Sequence, residues 1–209
     1  LKAQNNWKFI DEIGQSLPRV TYILKLLAKG EGFEKWLKNN AQEADNILNK
    51  AGDIGSALHS LLERIGKGEE LDLNNLDDLQ KQWIEQFLKW KEENKVKFLL
   101  TEQPVYNKEH LYCGTLDALV EINGEAVILD YKTAKYFYDS YSLQVAAYAY
   151  CFPQPPKKAI ILRFDKETGK MNIKTYDTLD YEFSIFLSLL KVWNWRNPKK
   201  EVLNGTKSV

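Results

Sequence analysis

The chain has 209 residues, 44% hydrophobic and 28% charged, enough apolar material for a buried core and too much for a disordered tail. Lysine plus arginine and aspartate plus glutamate balance at 29 each, so net charge gives no long-range pull toward nucleic acid or membrane, and an acidic partner must be held by a local patch. Two cysteines, Cys113 and Cys151, are too few for a disulfide framework, a four-cysteine zinc site or an iron–sulfur cluster.

A reducing, cytoplasmic setting is therefore expected, with a virus-encoded or organellar origin left open. No apolar run approaches the ~20 residues that span a bilayer, and the N-terminus lacks the apolar core of a signal peptide, so a soluble protein with no membrane partner is expected. The first residue, Leu1, is consistent with a trimmed chain.

Helical patterning begins after Pro18 with VTYILKLLAKG and continues through GFEKWLKNNAQEADNILNKAGDIGSALHSLLERIGKG, where Ile54, Leu58, Leu61, Leu62 and Ile65 make one stripe. A polar break, GKGEELDLNNLDD, precedes LQKQWIEQFLKWKEENK, whose Leu79, Trp83, Phe87 and Trp90 recur three or four apart as a second core-facing helix. Extended segments follow: FLLTEQPVYN, then YCGTLDALVEI and AVILDYKTA around Asn123-Gly124, the strongest short-range hairpin signal. A helix over YSLQVAAYAYC ends at the prolines of 153–156, KKAIILRFDKETGKMNIKTYD reads as another hairpin, and EFSIFLSLLKVWNW is an apolar helix before a basic tail. The sum is an α/β fold, a central mixed sheet flanked by helices, in one domain: a mainly helical part over 1–95, a sheet core over 96–195 and a tail over 196–209.

With Asn123 and Gly124 as the loop, Ile122 faces Glu125, and continued pairing puts Asp117 across from Asp130 and Thr115 across from Lys132. Lys132 projects on the same side as Asp130. Two opposed carboxylates repel by up to roughly 1 kcal/mol, more if shielded from water, so something should compensate. Lys132 alone could do so, as could a divalent cation held between the acids. The plain alternative is a solvated edge hairpin whose charges discourage strand pairing between molecules.

GTLD, followed by DYK and then QVAAY, resembles the PD-(D/E)XK nuclease superfamily, and within it the RecB-like exonuclease branch. Upstream, GSALHSLLE is similar to that branch's Gly-x-x-x-His-x-x-x-Glu helix, and LPRVTYIL to a segment near the start of such proteins. The sequence departs from the pattern at Leu116, where the motif's proline would stand, and at Arg19, where a small residue would. The resemblance implies a restriction-endonuclease-like core and a Mg²⁺- or Mn²⁺-dependent deoxyribonuclease acting on DNA, by exonuclease more than endonuclease cleavage, on single strands or free ends, in DNA repair or recombination. It also implies the residue roles.

Asp117 and Asp130 would bind metal together with His59 and the main-chain carbonyl of Tyr131. Lys132 would stabilise charge at the scissile phosphate and help orient the attacking water. Gln144 and Tyr148, four apart on a helix, would order the site and contact DNA. Glu102 and Glu63 are additional candidates near the metal, each with the alternative of an ordinary solvated charge. Tyr136, Phe137, Tyr138 and Tyr141 form a cluster that could stack on unpaired bases or pack in the core. Lys132, Lys135, Arg163, Lys166 and the C-terminal lysines are the candidate phosphate patch, with Lys135 and Tyr138 the substrate contacts nearest the catalytic strand. A catalytically silent nucleic-acid-binding module and a phosphatase for small phosphates are the competing classes.

Overall fold

The computed structural model describes residues 16–27, 38–41 and 43–198, with 3–4, 8–9 and 35 as separate short pieces. Most of the expected helix over 32–40 and the tail beyond 198 lie outside the described residues. Helices α1 (Val20–Leu24), α2 (Ala44–Gly66) and α3 (Asp78–Glu93) precede the strands β1 (Lys97–Asn107), β2 (Tyr112–Ile122) and β3 (Glu125–Lys132). Helix α4 (Asp139–Ala149), strands β4 (Lys158–Phe164) and β5 (Met171–Tyr176), and helix α5 (Asp180–Arg196) complete the chain order.

The five strands form one sheet in the order β1-β2-β3-β4-β5, antiparallel except for the parallel β3–β4 pair. Parallel neighbours need a crossover, and α4 supplies it. The result is an α/β fold with a mixed sheet flanked by helices, in agreement with a restriction-endonuclease-like core. Among the described residues no helix is long and apolar enough to cross a membrane.

Each sheet face carries its own core. On one face α2 and α3 set Leu58, Leu62, Trp83 and Phe87 against Val120, Val127, Leu129 and Tyr131. On the other, α1, α4 and α5 set Ile23, Ala146, Tyr148 and Phe186 against Tyr112, Leu116, Leu119 and Ile128. Burying each large apolar side chain stabilises the fold by roughly 1.5–3 kcal/mol. Helix α3 starts on a capping box, in which Asp77 Oδ1 accepts the Gln80 N–H and Gln80 Oε1 accepts the Asp77 N–H. The α2 stripe is buried from Leu58 through Ile65, but Ile54 is 38% exposed, because the N-terminal half of the helix runs past the core it covers.

The hairpin turn is the expected one: Asn123 and Gly124 both have positive φ, 52° and 81°, as a two-residue primed turn requires. From Ile122–Glu125 back to Ala118–Leu129 the register is also as expected. There the ladder stops. Asp117 is not paired with Asp130, nor Thr115 with Lys132, which corrects the extrapolated register.

The physical reason is a slip in the side-chain alternation of β2. Leu116 and Leu119 belong to the α4–α5 core, whereas Ala118 and Val120 belong to the α2–α3 core, so the alternation inverts at Asp117. Where β2 and β3 part, Asp117 Oδ2 takes the place of a backbone carbonyl and accepts the Tyr131 N–H at 2.8 Å. On the other flank Thr101 pairs with Ala118 and Gln103 with Leu116, which leaves Glu102 opposite Asp117 in a left-handed conformation, φ 45°. For a residue with a Cβ, that conformation costs on the order of 1–3 kcal/mol.

Candidate active site

The irregularity gathers an acidic site. His59, about two thirds of the way along α2, meets Glu102 from β1 and Asp117 from β2, and one ligand atom from each lies within 4.8 Å of the others. The two acids that face each other across a strand pair are therefore Glu102 and Asp117, on the flank of β2 away from the hairpin. Glu102 was a secondary candidate in the sequence, and only the turned backbone brings it in.

His59 is oriented from behind. Its Nε2–H donates to the Tyr131 carbonyl at 3.0 Å, which orients the ring and points Nδ1 at Glu102 Oε1 and Asp117 Oδ1, 3.6 Å from each. Burial pulls the imidazole pKa down, but Glu102 and Asp117 outweigh it and push it up to about 9. The Tyr131 carbonyl thus serves first as the acceptor for His59.

Asp130 and Lys132 form the second part of the site. Lys132 Nζ sits 2.5 Å from Asp130 Oδ2, and Asp130 is fully buried. The contact is an ion pair, and neither Asp130 oxygen accepts from any other donor among the described residues. Burial raises the Asp130 pKa to about 6, with Lys132 opposing and Asp117 adding to the shift. Burial likewise raises Asp117, against the pull of His59, Lys132 and the Tyr131 N–H. Lys132 also lies 5.2 Å from the centre of the Tyr141 ring.

Helix α4 closes the back. Gln144 Nε2 donates to the Tyr148 hydroxyl at 3.2 Å, as their four-residue spacing requires. Tyr148 is buried, and burial together with Asp117 and Asp130 pushes its pKa well up, so it stays protonated. Its ring fits because residue 114 is glycine: a Cβ there would lie 2.5 Å from Tyr148 Cε1. In front, an open cleft of about 550 Å³ is lined by Gly55, Ser56, His59, Glu63, Glu102 and Thr133 among others. Gly55 lets α2 come close, since its Cβ would stand 3.1 Å from Thr133 Oγ1.

The remaining expected residues sit apart from the acids or are already engaged. Glu63 lines the cleft but pairs with Lys67 at 2.6 Å. Lys135 pairs with Glu167 at 3.3 Å, and Lys166 donates to the Ala51 carbonyl at 2.8 Å. Arg163, buried, donates through Nη1 to the carbonyls of Ala134 and Lys135, 2.8 Å each, and pairs with Asp165 at 3.0 Å. Three residues of the expected phosphate patch thus have partners within the chain, of which the Lys135–Glu167 pair lies at the surface. What the sequence does not single out is the bracing role of Arg163, whose signal, its pairing with Lys132 across β3–β4, exists only once the parallel register is known.

The donor set suits a hard divalent cation. Carboxylates from Glu102 and Asp117 and one imidazole converge, and the buried Asp130 Oδ1, which no donor reaches among the described residues, is an acceptor that a cation would satisfy.

No family model matches the chain, and no curated protein matches it. Among solved structures it is similar to LHK-Exo in complex with dAMP, with TM-score 0.47 and 8% identity over 86% of this chain and 87% of that one. It is also similar to the alkaline exonuclease LHK-Exo from Laribacter hongkongensis, with TM-score 0.39 and 8% identity over 86% and 90%. A third is SSO0001, with TM-score 0.43 and 13% identity over 87% and 85%. These likenesses are broad in coverage and loose in detail, so the chemistry of this chain is argued from its own side chains.

Proposed function

We propose that this chain is a divalent-metal-dependent deoxyribonuclease, and that it acts as an exonuclease on single-stranded DNA or free DNA ends. The observation that carries the reading is the convergence of His59, Glu102 and Asp117 within 4.8 Å beside a buried Asp130–Lys132 pair. Such an arrangement collects negative charge at one point and places a single ammonium next to it, as hydrolysis of a phosphodiester demands. The motif resemblance to the RecB-like branch supports the choice of DNA and of exonuclease cleavage.

In this reading Asp117 and Glu102 would hold Mg²⁺ or Mn²⁺ with His59, and Asp130 would complete the acidic set. When bound, the ion would lower the pKa of a coordinated water and neutralise charge on the phosphodiester. His59 would give up to a bound cation the proton that the acids hold on Nδ1, and the Nε2–H bond to the Tyr131 carbonyl would leave the ligating lone pair on Nδ1. Lys132, an ammonium held beside Asp130, stabilises negative charge on the phosphoryl oxygens and orients the attacking water. Tyr148, donor-competent and held by Gln144, limits the site from the α4 side.

The test is to incubate the protein with single- and double-stranded oligonucleotides labelled at either end, in Mg²⁺, Mn²⁺ or EDTA. A stepwise product ladder that EDTA abolishes is expected. Intact oligonucleotides in both metals would overturn the reading, and phosphate release from a mononucleotide beside untouched oligonucleotides would reassign the site to small phosphates.

A further inference from the structure

The loop between β3 and α4, residues 133–138, leads directly out of the site from Lys132. Its aromatic side chains split by position. Phe137 turns inward, packed over the Arg163 guanidinium at 5.3 Å, while Tyr136 and Tyr138 on either side are 61% and 49% exposed. Core packing therefore does not account for the two tyrosines. Exposed rings on loops are usually free to move; here the backbone just before them is anchored, because Arg163 Nη1 binds the successive carbonyls of Ala134 and Lys135.

The rings are also in line with the chemistry. Tyr138 meets Tyr141 edge to face at 5.5 Å, and the Tyr141 ring lies 5.2 Å from Lys132 Nζ, so a path of aromatic surface runs from the catalytic ammonium to solvent. Beside it, Lys174 on β5 lies 6.0 Å from the centre of the Phe137 ring and 5.2 Å from that of Tyr176, and it forms no ion pair with a carboxylate among the described residues. Exposed rings beyond an anchored stretch of backbone, with an unneutralised cation alongside, match a polyanion whose flat groups are unpaired. Duplex DNA, whose bases are stacked inside, cannot use such faces.

We propose that Tyr136, Tyr138 and Lys174 form a track for single-stranded nucleic acid that feeds the strand to Lys132, with Tyr138 stacking the unpaired base nearest the scissile phosphate. The inference rests on the nuclease reading for its direction, but it is tested separately from cleavage.

Binding is read by fluorescence anisotropy in EDTA, with labelled single-stranded oligothymidylate, the same strand carrying abasic sites, and a blunt duplex. Base–aromatic stacking is worth about 1–3 kcal/mol per base, so Tyr138→Leu should weaken binding of the single strand roughly 5- to 150-fold. The same substitution should leave the abasic strand and the duplex unaffected, and Tyr138→Phe, which keeps the ring, should bind like the parent. Lys174→Gln should flatten the salt dependence of single-strand binding by about 0.7 in log–log slope, the loss of one phosphate contact.

Unchanged affinity in the Tyr136→Leu/Tyr138→Leu protein, or equal weakening on the abasic strand, would overturn the track. If the parent protein cuts DNA and the double variant binds it unchanged, the track fails and the nuclease reading stands. If stacking is found and no metal supports cleavage, the nuclease reading fails and the track stands.

Discussion

The two oxygens of Asp117 do different work: Oδ2 accepts the Tyr131 N–H at 2.8 Å where the strands part, and Oδ1 faces His59 Nδ1 at 3.6 Å. The structural and chemical roles can therefore be separated by choice of substitution. Asp117→Asn keeps an acceptor for the Tyr131 N–H and removes the charge, so cleavage should be abolished with little change in the urea midpoint. Asp117→Ala leaves the Tyr131 N–H buried without a partner, which should cost a further 1–3 kcal/mol or about that, read in the same urea titration. Equal stability of the two variants would show that the hydrogen bond does not hold β2 to β3. Gly114→Ala makes the complementary test from the other side of the strand. Its Cβ would stand 2.5 Å from Tyr148 Cε1, and a side chain this buried has no free direction in which to move. A loss of about 1–3 kcal/mol is expected, together with lower activity as Tyr148 is displaced from the acids. Asp117 was readable from its motif, because an acid inside an apolar strand stands out against its neighbours. Glu102 was readable only as an additional candidate, since the positive φ that turns it toward Asp117 follows from the mismatch between two strands and leaves no mark in composition.

At the level of elements, the β4–β5 hairpin is the brace for β3, the strand that carries Asp130 and Lys132. Arg163 ties the loop after β3 to β4, and Asp165 anchors Arg163 at 3.0 Å while accepting the N–H groups of Glu167 and Thr168 at 2.9 Å each. Those N–H groups, Thr168 foremost, and the guanidinium hold the Asp165 pKa down at about 2. The sign of the linkage follows. The folded state prefers the ionised carboxylate, so its contribution to stability is complete above the ordinary aspartate value of about 3.9 and is lost as pH falls toward about 2. Asp165→Asn should accordingly unfold at lower urea than the parent near neutral pH, and the gap should narrow as the titration is repeated from about pH 5 down to about pH 2. A gap independent of pH would mean that the charge of Asp165 is not what secures the hairpin. The hairpins themselves were legible, because Asn-Gly and the Gly169 turn announce themselves through residues that tolerate positive φ. The role of Arg163 was not, because a lone arginine reads equally as a phosphate contact or a brace until the parallel pairing of β3 with β4 sets it beside the loop.

For the whole molecule, the site exists only where both cores meet the sheet. His59 comes from α2, which packs on one face, and Tyr148 from α4, which packs on the other, while Glu102, Asp117, Asp130 and Lys132 come from three adjacent strands between them. The layered plan could be read from the order of helical and extended segments, but the assignment of helices to faces could not, because any amphipathic helix can cover either side of a sheet. An arrangement assembled from five elements is absent from the unfolded chain, so an ion that binds it must stabilise the native state by mass action. Thermal unfolding in Mg²⁺ or Mn²⁺ should therefore move upward with metal concentration, by about 2.7 kcal/mol when the free ion reaches a hundredfold excess over its Kd. EDTA should reverse the shift. Asp117→Asn should remove most of it, whereas Lys174→Gln, on the outer strand β5 and away from the carboxylates, should leave it intact. This readout does not depend on any cleavage reaction, so it separates a site that binds metal but cuts poorly from one that does not bind at all. A melting temperature unmoved by either ion across the full range would mean that the acids of β1 and β2 are balanced by His59 and Lys132 alone.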